Sequence, residues 1–245
     1  MMKKKYFVIL SLLAIVIVMI TMIVINKKSI IPKRICCTVE RILEKEGISG
    51  CKITQIANYS DISYFLLCPI VTESDEIQYI WDMFDLDNKE LLTDDFVLSN
   101  TEFTSKDDFW EDANDKILKN KKISLVIDTR KQIMDRLIES SLFEIDEEEA
   151  VNFAVNYVAD YENEARIYGM SLDEYRENVL KKSEQEFYNL CYDEGIRQIK
   201  EYLVIGAIYQ KEFFEDEEID DDIYYRFQQI QNKVYSLFIS TEDGF

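Results

Sequence analysis

The chain opens with one long apolar stretch. From Tyr6 to Ile25, a single serine and a single threonine are the only interruptions of the apolar pattern. A helix of about 20 residues, with a rise of 1.5 Å per residue, spans the hydrocarbon core of a bilayer. The stretch exceeds the roughly 7 to 15 apolar residues of a cleaved signal peptide, and no small-residue cleavage site follows it. The pattern therefore predicts a transmembrane signal anchor at residues 6–26, preceded by a short tail at residues 1–5.

Basic residues flank the predicted anchor on both sides. Three lysines precede it, and four lysine or arginine residues follow it between positions 27 and 34. This difference is too small to set the orientation by the positive-inside rule alone. A short lysine-rich tail before a long apolar run is typical of an uncleaved signal anchor. We therefore expect a single-pass protein of a bacterial cell membrane, with a stalk at residues 27–35 and an extracytoplasmic C-terminal domain.

Residues 36–92 mix helical and strand patterns. Residues 38–46 place apolar side chains at helical spacing. Three strand-like segments follow at residues 52–56, 62–71 and 77–84, where apolar and aromatic residues alternate or cluster. A unit of this size buries too little apolar surface to be stable alone. We predict a small α+β unit that packs against the helices that follow it.

The remainder of the chain has the composition of helices. No proline follows Pro69, and only four glycines lie beyond it. A capping side chain followed three residues later by an acidic one marks a helix start. Four such starts occur, at Thr104 with Asp107, Asp146 with Glu149, Ser171 with Glu174 and Ser183 with Glu186.

These starts predict a mainly α fold for the second half of the chain. The first helix is expected to end at Lys119, and residues 123–143 form a separate helix by their apolar spacing. The helix that starts after Asp146 is expected to run to Tyr168. After a linker at residues 93–103, residues 104–240 are therefore predicted to form five or six helices.

Outside its N-terminal end the chain is strongly acidic. Seven of the 28 basic residues and none of the 48 acidic ones lie within the first 34 positions, so the rest carries a net charge of −27. Such a domain repels nucleic acid and anionic lipid headgroups. Two interpretations of this charge stay open: it serves solubility, or it favours basic clients.

The sequence offers few groups for metal-based or nucleophilic catalysis. The chain has no histidine, and its five cysteines include no C-x-x-C pair, so a zinc or haem site lacks ligands. The acidic runs at residues 147–149 and 215–222 are explained as helix starts, where carboxylates interact favourably with the helix dipole. Cys51 and Cys68 can form a disulfide if their strands are neighbours. No catalytic, cofactor-binding or metal-binding residue is predicted.

Several short motifs follow one another from the linker to the last helix. They are LTDDFV at residues 92–97, NTEF at 100–103, IMDRLIESS at 133–141, FEIDEE at 143–148, GMSLDEY at 169–175, LVI at 203–205 and DEEID at 216–220. Their order and spacing resemble the link that leads into the C-terminal chaperone domain of trigger factor, and that domain itself. The resemblance covers about 145 of the 245 residues.

The resemblance implies a helical cradle that holds unfolded polypeptide without catalysis. Two parts of trigger factor have no counterpart here. The predicted anchor stands where the family has its ribosome-docking domain, so no ribosome docking is expected. Residues 36–92 are too few for a complete FKBP-like isomerase domain. The expected function is a membrane-anchored holdase for unfolded or nascent exported polypeptides, with no nucleic-acid partner and no cofactor.

Aromatic side chains on the predicted helices are the candidates for client binding, because they supply large contact area at low entropy cost. The candidates are Tyr157, Tyr161, Tyr168, Tyr202 and Tyr209. The alternative for each is ordinary packing between helices.

Two other functions stay open at this point. A degenerate peptidyl-prolyl isomerase predicts a five-stranded half-barrel within residues 36–92. A non-chaperone membrane adaptor predicts a flat, local apolar patch, whereas a chaperone predicts a wide cleft between helical arms.

Overall fold

The computed structural model of the protein describes residues 37–213, 223–243 and 245. The predicted anchor at residues 6–26 and the stalk at residues 27–35 lie outside the described residues. Within the described ranges, no helix has both the length and the apolar composition needed to cross a bilayer.

The described part of the chain is mainly helical with a small amount of sheet. This confirms the mainly α character of the predicted fold. The helices are α1 (Cys37–Lys45), α2 (Glu73–Phe84), α3 (Asp94–Asn100), α4 (Lys106–Glu139), α5 (Glu147–Ile167), α6 (Leu172–Asn178), α7 (Glu184–Glu212) and α8 (Ile223–Tyr235), with a short 3-10 helix at Lys89–Leu91. The strands are β1 (Lys52–Gln55), β2 (Tyr64–Leu66), β3 (Leu142–Glu144) and β4 (Ile239–Thr241).

Two apolar cores organise these elements. In the main core, α1, α5, α7 and α8 pack around the C-terminal half of α4, which contributes Ile133 and Leu137. In the second core, α2 and α3 pack on the N-terminal half of α4 through Phe109 and Ala113. Because α4 has 34 residues, it is about 50 Å long and reaches both cores.

The four strands form two separate pairs. β1 pairs antiparallel with β3, and β2 pairs parallel with β4. The two strands of residues 36–92 therefore pair with partners far along the chain, because strands of three or four residues do not make a stable sheet alone. The predicted α+β unit is divided: residues up to 66 pack in the main core, and α2 packs in the second.

Three of the predicted helix starts are confirmed by their capping contacts. Asp146 caps α5, Ser171 caps α6 and Ser183 caps α7, each by accepting a hydrogen bond from the backbone N–H three residues later. The fourth start is displaced by one residue, since Ser105 and not Thr104 caps α4.

The predicted break in α4 is wrong. The helix runs without interruption from Lys106 to Glu139 instead of ending at Lys119. No proline or glycine lies within it, and the switch from the second core to the main core rotates its apolar face, which imitates a boundary in the sequence pattern. The residues after it, Leu142–Glu144, form strand β3.

The predicted strand at residues 77–84 is also wrong, because these residues belong to helix α2. The Thr72 side chain accepts from the Asp75 N–H, and the Asp75 carboxylate accepts from the Thr72 N–H, which is a complete capping box. Asp85 ends the helix in the left-handed conformation, with φ of 57°. A short helix with an apolar and aromatic composition resembles a strand in sequence.

The segment before β1 fixes the start of α5. One carboxylate oxygen of Glu149 accepts hydrogen bonds from Gly50 N at 2.6 Å and from Ser49 Oγ at 3.2 Å, and the other accepts from Cys51 N at 3.2 Å. A Cβ at Gly50 would lie 3.0 Å from the Asp146 Cβ, so the backbone approaches closely here. Burial opposes ionisation of Glu149, but these donors outweigh it and lower its pKa from 4.5.

Glu149→Gln is expected to lower the free energy of unfolding by about 1–2 kcal/mol at pH 7, because it removes the charge from these hydrogen bonds. Since the folded-state pKa of Glu149 lies below 4.5, the contribution is present above pH 4.5 and is lost as the pH falls through the folded-state pKa. Urea denaturation over a pH series measures it. Glu148→Gln is the control, because Glu148 is exposed in the same helical turn; equal stability losses in both variants would contradict the prediction.

Candidate client-binding surface

Helices α5 and α7 pack antiparallel as a hairpin, with α6 at its turn. Their closest approach is at Gly195 of α7. A Cβ at this position would lie 2.9 Å from the backbone N of Ala154 and 3.1 Å from the Cβ of Phe153. Only a residue without a side chain permits this distance between the two helices.

The turn of the hairpin is fixed by consecutive helix-end contacts. Gly169 ends α5 with φ of +69°, as its C-cap position in the sequence predicts. Its N–H donates to Arg166 O and the N–H of Met170 donates to Ala165 O, both at 3.0 Å, which is a Schellman motif. Capping boxes at Ser171 and Ser183 then start α6 and α7.

The turn end of the hairpin has a small interior of its own. Ala165, Tyr175, Phe187 and Cys191 are buried there. The rings of Tyr161 and Phe187 meet edge to face, with centroids 5.4 Å apart. This interior joins the end of α5, α6 and the start of α7 into one unit.

Arg176 ties α6 to the connection that follows it. Its side chain is nearly buried, and its NH1 donates to the carbonyl oxygen of Lys182 at 3.0 Å. Its NH2 donates to the Glu177 carboxylate at 2.9 Å. The guanidinium therefore satisfies a backbone carbonyl where the chain leaves α6 with Lys181 at a positive φ.

The outer surface of this turn is apolar, in contrast to the rest of the acidic domain. Four large apolar or aromatic side chains are exposed here, and we call them the tip patch: Ile167, Tyr168, Val179 and Tyr188. The exposed fraction is 84% for Ile167 and 61% for Tyr168. Exposed apolar groups grouped at one place are typical of sites that bind other apolar surfaces.

The structure separates the five tyrosines that the sequence proposes for client contact. Tyr168 lies in the tip patch, and Tyr157 and Tyr161 are half-buried on α5. Burial raises the pKa of the two half-buried hydroxyls. Only Tyr168 therefore offers most of its side chain to a partner.

Tyr202 and Tyr209 belong to the main core, with exposed fractions of 8% and 1%. The Tyr202 ring stacks on Phe227 at 4.3 Å, and its hydroxyl donates to the Glu46 carboxylate at 3.3 Å. The Tyr209 ring stacks on Phe213 at 5.4 Å. For these two residues the alternative explanation, packing between helices, accounts for the aromatic side chain.

The sequence signals for the tip patch were incomplete. Ile167 and Val179 stand at the ends of α5 and α6, where an apolar residue continues the core pattern of the helix in sequence. The turn defined by Gly169 exposes Ile167, and this depends on the three-dimensional path of the hairpin.

A second concave feature lies between α2 and the middle of α4. Its volume is about 450 Å³, and Pro69 closes one end. The ion pair between Asp75 and Lys121, 2.6 Å long, bridges the two helices beside it. The sequence did not indicate this cleft, because it depends on α2 being a helix.

The cysteines of the described part are free thiols, namely Cys51, Cys68 and Cys191. Cys51 and Cys68 lie beside strands of different pairs, so the proposed disulfide has no structural basis. Burial, with smaller effects from Glu149 and Asp146, raises the pKa of Cys51 to about 11, which disfavours the reactive thiolate. Among the described residues, no group of three or more acidic, cysteine or histidine side chains has the arrangement of a metal site.

The isomerase alternative requires a five-stranded half-barrel within residues 36–92. In the described part of this region the strands are β1 and β2, and each pairs with a strand from the second half of the chain. This arrangement does not provide that half-barrel.

Comparisons with protein-family models, with characterised proteins and with solved structures gave no match. The resemblance to trigger factor therefore stays a prediction from sequence motifs. The geometry that bears on function is the helical hairpin, its tip patch and the cleft.

Gly195→Ala is expected to lower the free energy of unfolding by about 1–3 kcal/mol, because the new Cβ meets the backbone of α5. This loss exceeds the roughly 1 kcal/mol that alanine gains over glycine in helix propensity. Thermal and urea denaturation measure it. Asp193→Ala, at an exposed position of the same helix, is the control; a Gly195→Ala protein as stable as this control would contradict the close packing.

Proposed function

We propose that the protein is a membrane-anchored holdase chaperone, related to the C-terminal domain of trigger factor, that binds unfolded or exported polypeptides without catalysis. The observation that carries the proposal is the tip patch at the end of the α5–α7 hairpin. Residues 6–26 anchor the protein in the cell membrane, and the helical domain faces the extracytoplasmic side.

The tip patch suits reversible binding of unfolded chains. Covering apolar surface contributes about 25 cal/mol per Å², so a contact of roughly 200 Å² contributes about 5 kcal/mol before the entropy cost of binding. Such a contact recognises apolar side chains in general and requires no defined sequence. It is weak enough to release a client, which a holdase must do.

The charge of the domain supports the same function. A net charge of −27 beyond residue 34 keeps anchored copies apart and disfavours self-association through exposed apolar groups. The exposed Ile167 and Tyr168 are therefore tolerated on a protein that stays soluble at its surface.

The membrane adaptor is the second candidate, and the local extent of the tip patch favours it. An adaptor docks one folded partner, whereas a holdase binds unrelated unfolded chains. The two functions therefore differ in selectivity, which a client assay measures directly.

In the assay for the holdase, the full chain in phosphatidylcholine nanodiscs is mixed at stoichiometric ratios with a chemically denatured protein. We expect suppression of aggregation, seen as reduced light scattering relative to empty nanodiscs. Ile167→Gln with Tyr168→Gln is expected to reduce this protection at least several-fold, because glutamine keeps helix propensity and removes the apolar surface.

Leu91→Gln with Leu98→Gln is the matched control, because both leucines are about half exposed and lie outside the hairpin. No protection by the unmodified chain at any ratio would refute the holdase and favour the adaptor. Equal losses in both double variants would refute the tip patch. A proline-peptide isomerisation assay on the same sample is expected to show no acceleration, and elution of the chain separately from the lipid would contradict the anchor.

A further inference from the structure

The cleft between α2 and α4 has an acidic rim. Asp75 and Asp82 on α2 and Asp128 on α4 line it, together with a single cation, Lys121. Lys121 is already engaged, since its Nζ lies 2.6 Å from the Asp75 carboxylate and donates to the Ile70 carbonyl oxygen at 2.9 Å. The contacts with Lys121 and Thr72 lower the pKa of Asp75 to about 2, so this pair stays ionised and neutral overall.

The other two carboxylates are not neutralised. Asp82 accepts only a neutral hydrogen bond, from the Gln78 side chain at 2.7 Å. Asp128 forms no ion pair with any cation in the described part of the chain. Both side chains are exposed, so the cleft carries about two uncompensated negative charges toward an incoming ligand.

The walls of the cleft are apolar and aromatic. Tyr79, Ile117, Leu125 and Pro69 line it. Tyr79 is supported from behind by Phe109 of the second core, with ring centroids 6.2 Å apart. Immediately beyond Pro69, Ile70 is 79% exposed. An apolar trough beneath unpaired carboxylates is complementary to an aliphatic stem that ends in a positive charge.

We infer that this cleft binds a lysine or arginine side chain of an extended client segment, whose neighbouring apolar residue covers Ile70. The inference rests on the proposed holdase function and defines its client class as basic, apolar segments. The occupant is argued from charge complementarity: the stem of the side chain lies along Tyr79 and Leu125, and its cationic head pairs with Asp82 and Asp128. A volume of about 450 Å³ accommodates one such side chain with water.

The experiment measures binding of fluorescent twelve-residue peptides to the full chain in phosphatidylcholine nanodiscs by anisotropy. One peptide alternates leucine and serine around two arginines, and its partner has citrulline, the neutral analogue, at the same two positions. We expect the arginine peptide to bind about tenfold more tightly or better, since two ion pairs are gained near the surface. Spermidine is the competitor that tests for a free polyamine as ligand.

Asp82→Asn with Asp128→Asn is expected to remove most of this preference and to leave citrulline-peptide binding unchanged. Glu111→Gln with Asp115→Asn is the matched control, because it removes the same charge at exposed positions of α4 outside the cleft. Ser124→Phe, which fills the cleft from α4, is expected to weaken the arginine peptide without changing net charge. Thermal melts establish that each variant is folded.

Equal binding of the two peptides would overturn the inference, as would equal effects of the two charge variants, which would indicate a general field of the acidic domain. Tighter binding of spermidine than of the arginine peptide would assign the cleft to a polyamine instead. These results leave protection of an apolar denatured client intact. Loss of that protection with a preserved arginine preference would refute the holdase and retain the cleft as a peptide site.

Discussion

The close packing of α5 against α7 is the constraint on which the rest of the candidate site depends. At Gly195 the backbones of the two helices approach within the space of a single Cβ. The hairpin then extends far enough from this contact for Tyr161 and Phe187 to enclose a second interior at its turn. Without that interior, the short helix α6 and the exposed side chains around it would have no defined position. A similar close contact fixes α1, because a Cβ at Gly206 of α7 would lie 2.6 Å from Val39.

Helix α4 relates the two concave or apolar features to each other. Its C-terminal half belongs to the main core that supports the hairpin, and its N-terminal half carries α2 and the acidic cleft. The ion pair between Arg197 of α7 and Asp135 of α4, 2.6 Å long, ties the hairpin to this helix. A client chain that contacts the tip patch by apolar groups and the cleft by a basic side chain would therefore meet two surfaces of one connected framework.

Local chemistry was readable from the sequence, and pairing between distant segments was not. The caps at Asp146, Ser171 and Ser183 depend on residues three positions apart, so the sequence predicts them correctly. The pairing of β1 with β3 joins residues such as Thr54 and Leu142, 88 positions apart, and no local pattern specifies it.

The candidate site shows the same division. Tyr168 follows a helix end that glycine marks in the sequence, and it was among the proposed contacts. Tyr202 was proposed on the same aromatic character, yet its ring stacks on Phe227 of α8. Which face of a tyrosine-bearing helix is covered depends on a partner helix that the sequence pattern does not identify. The cleft depended on α2, whose composition favoured a strand.

Site-specific photocrosslinking tests the central claim, that the hairpin tip binds unfolded polypeptide, most directly. The photoreactive amino acid p-benzoylphenylalanine would replace Tyr168 in the full chain and, in a second protein, Leu98, which is similarly exposed outside the hairpin. Each would be irradiated with one test protein in its denatured and in its native form. We predict crosslinks from position 168 to the denatured form only; equal yields from both positions, or equal yields with the native form, would contradict the claim.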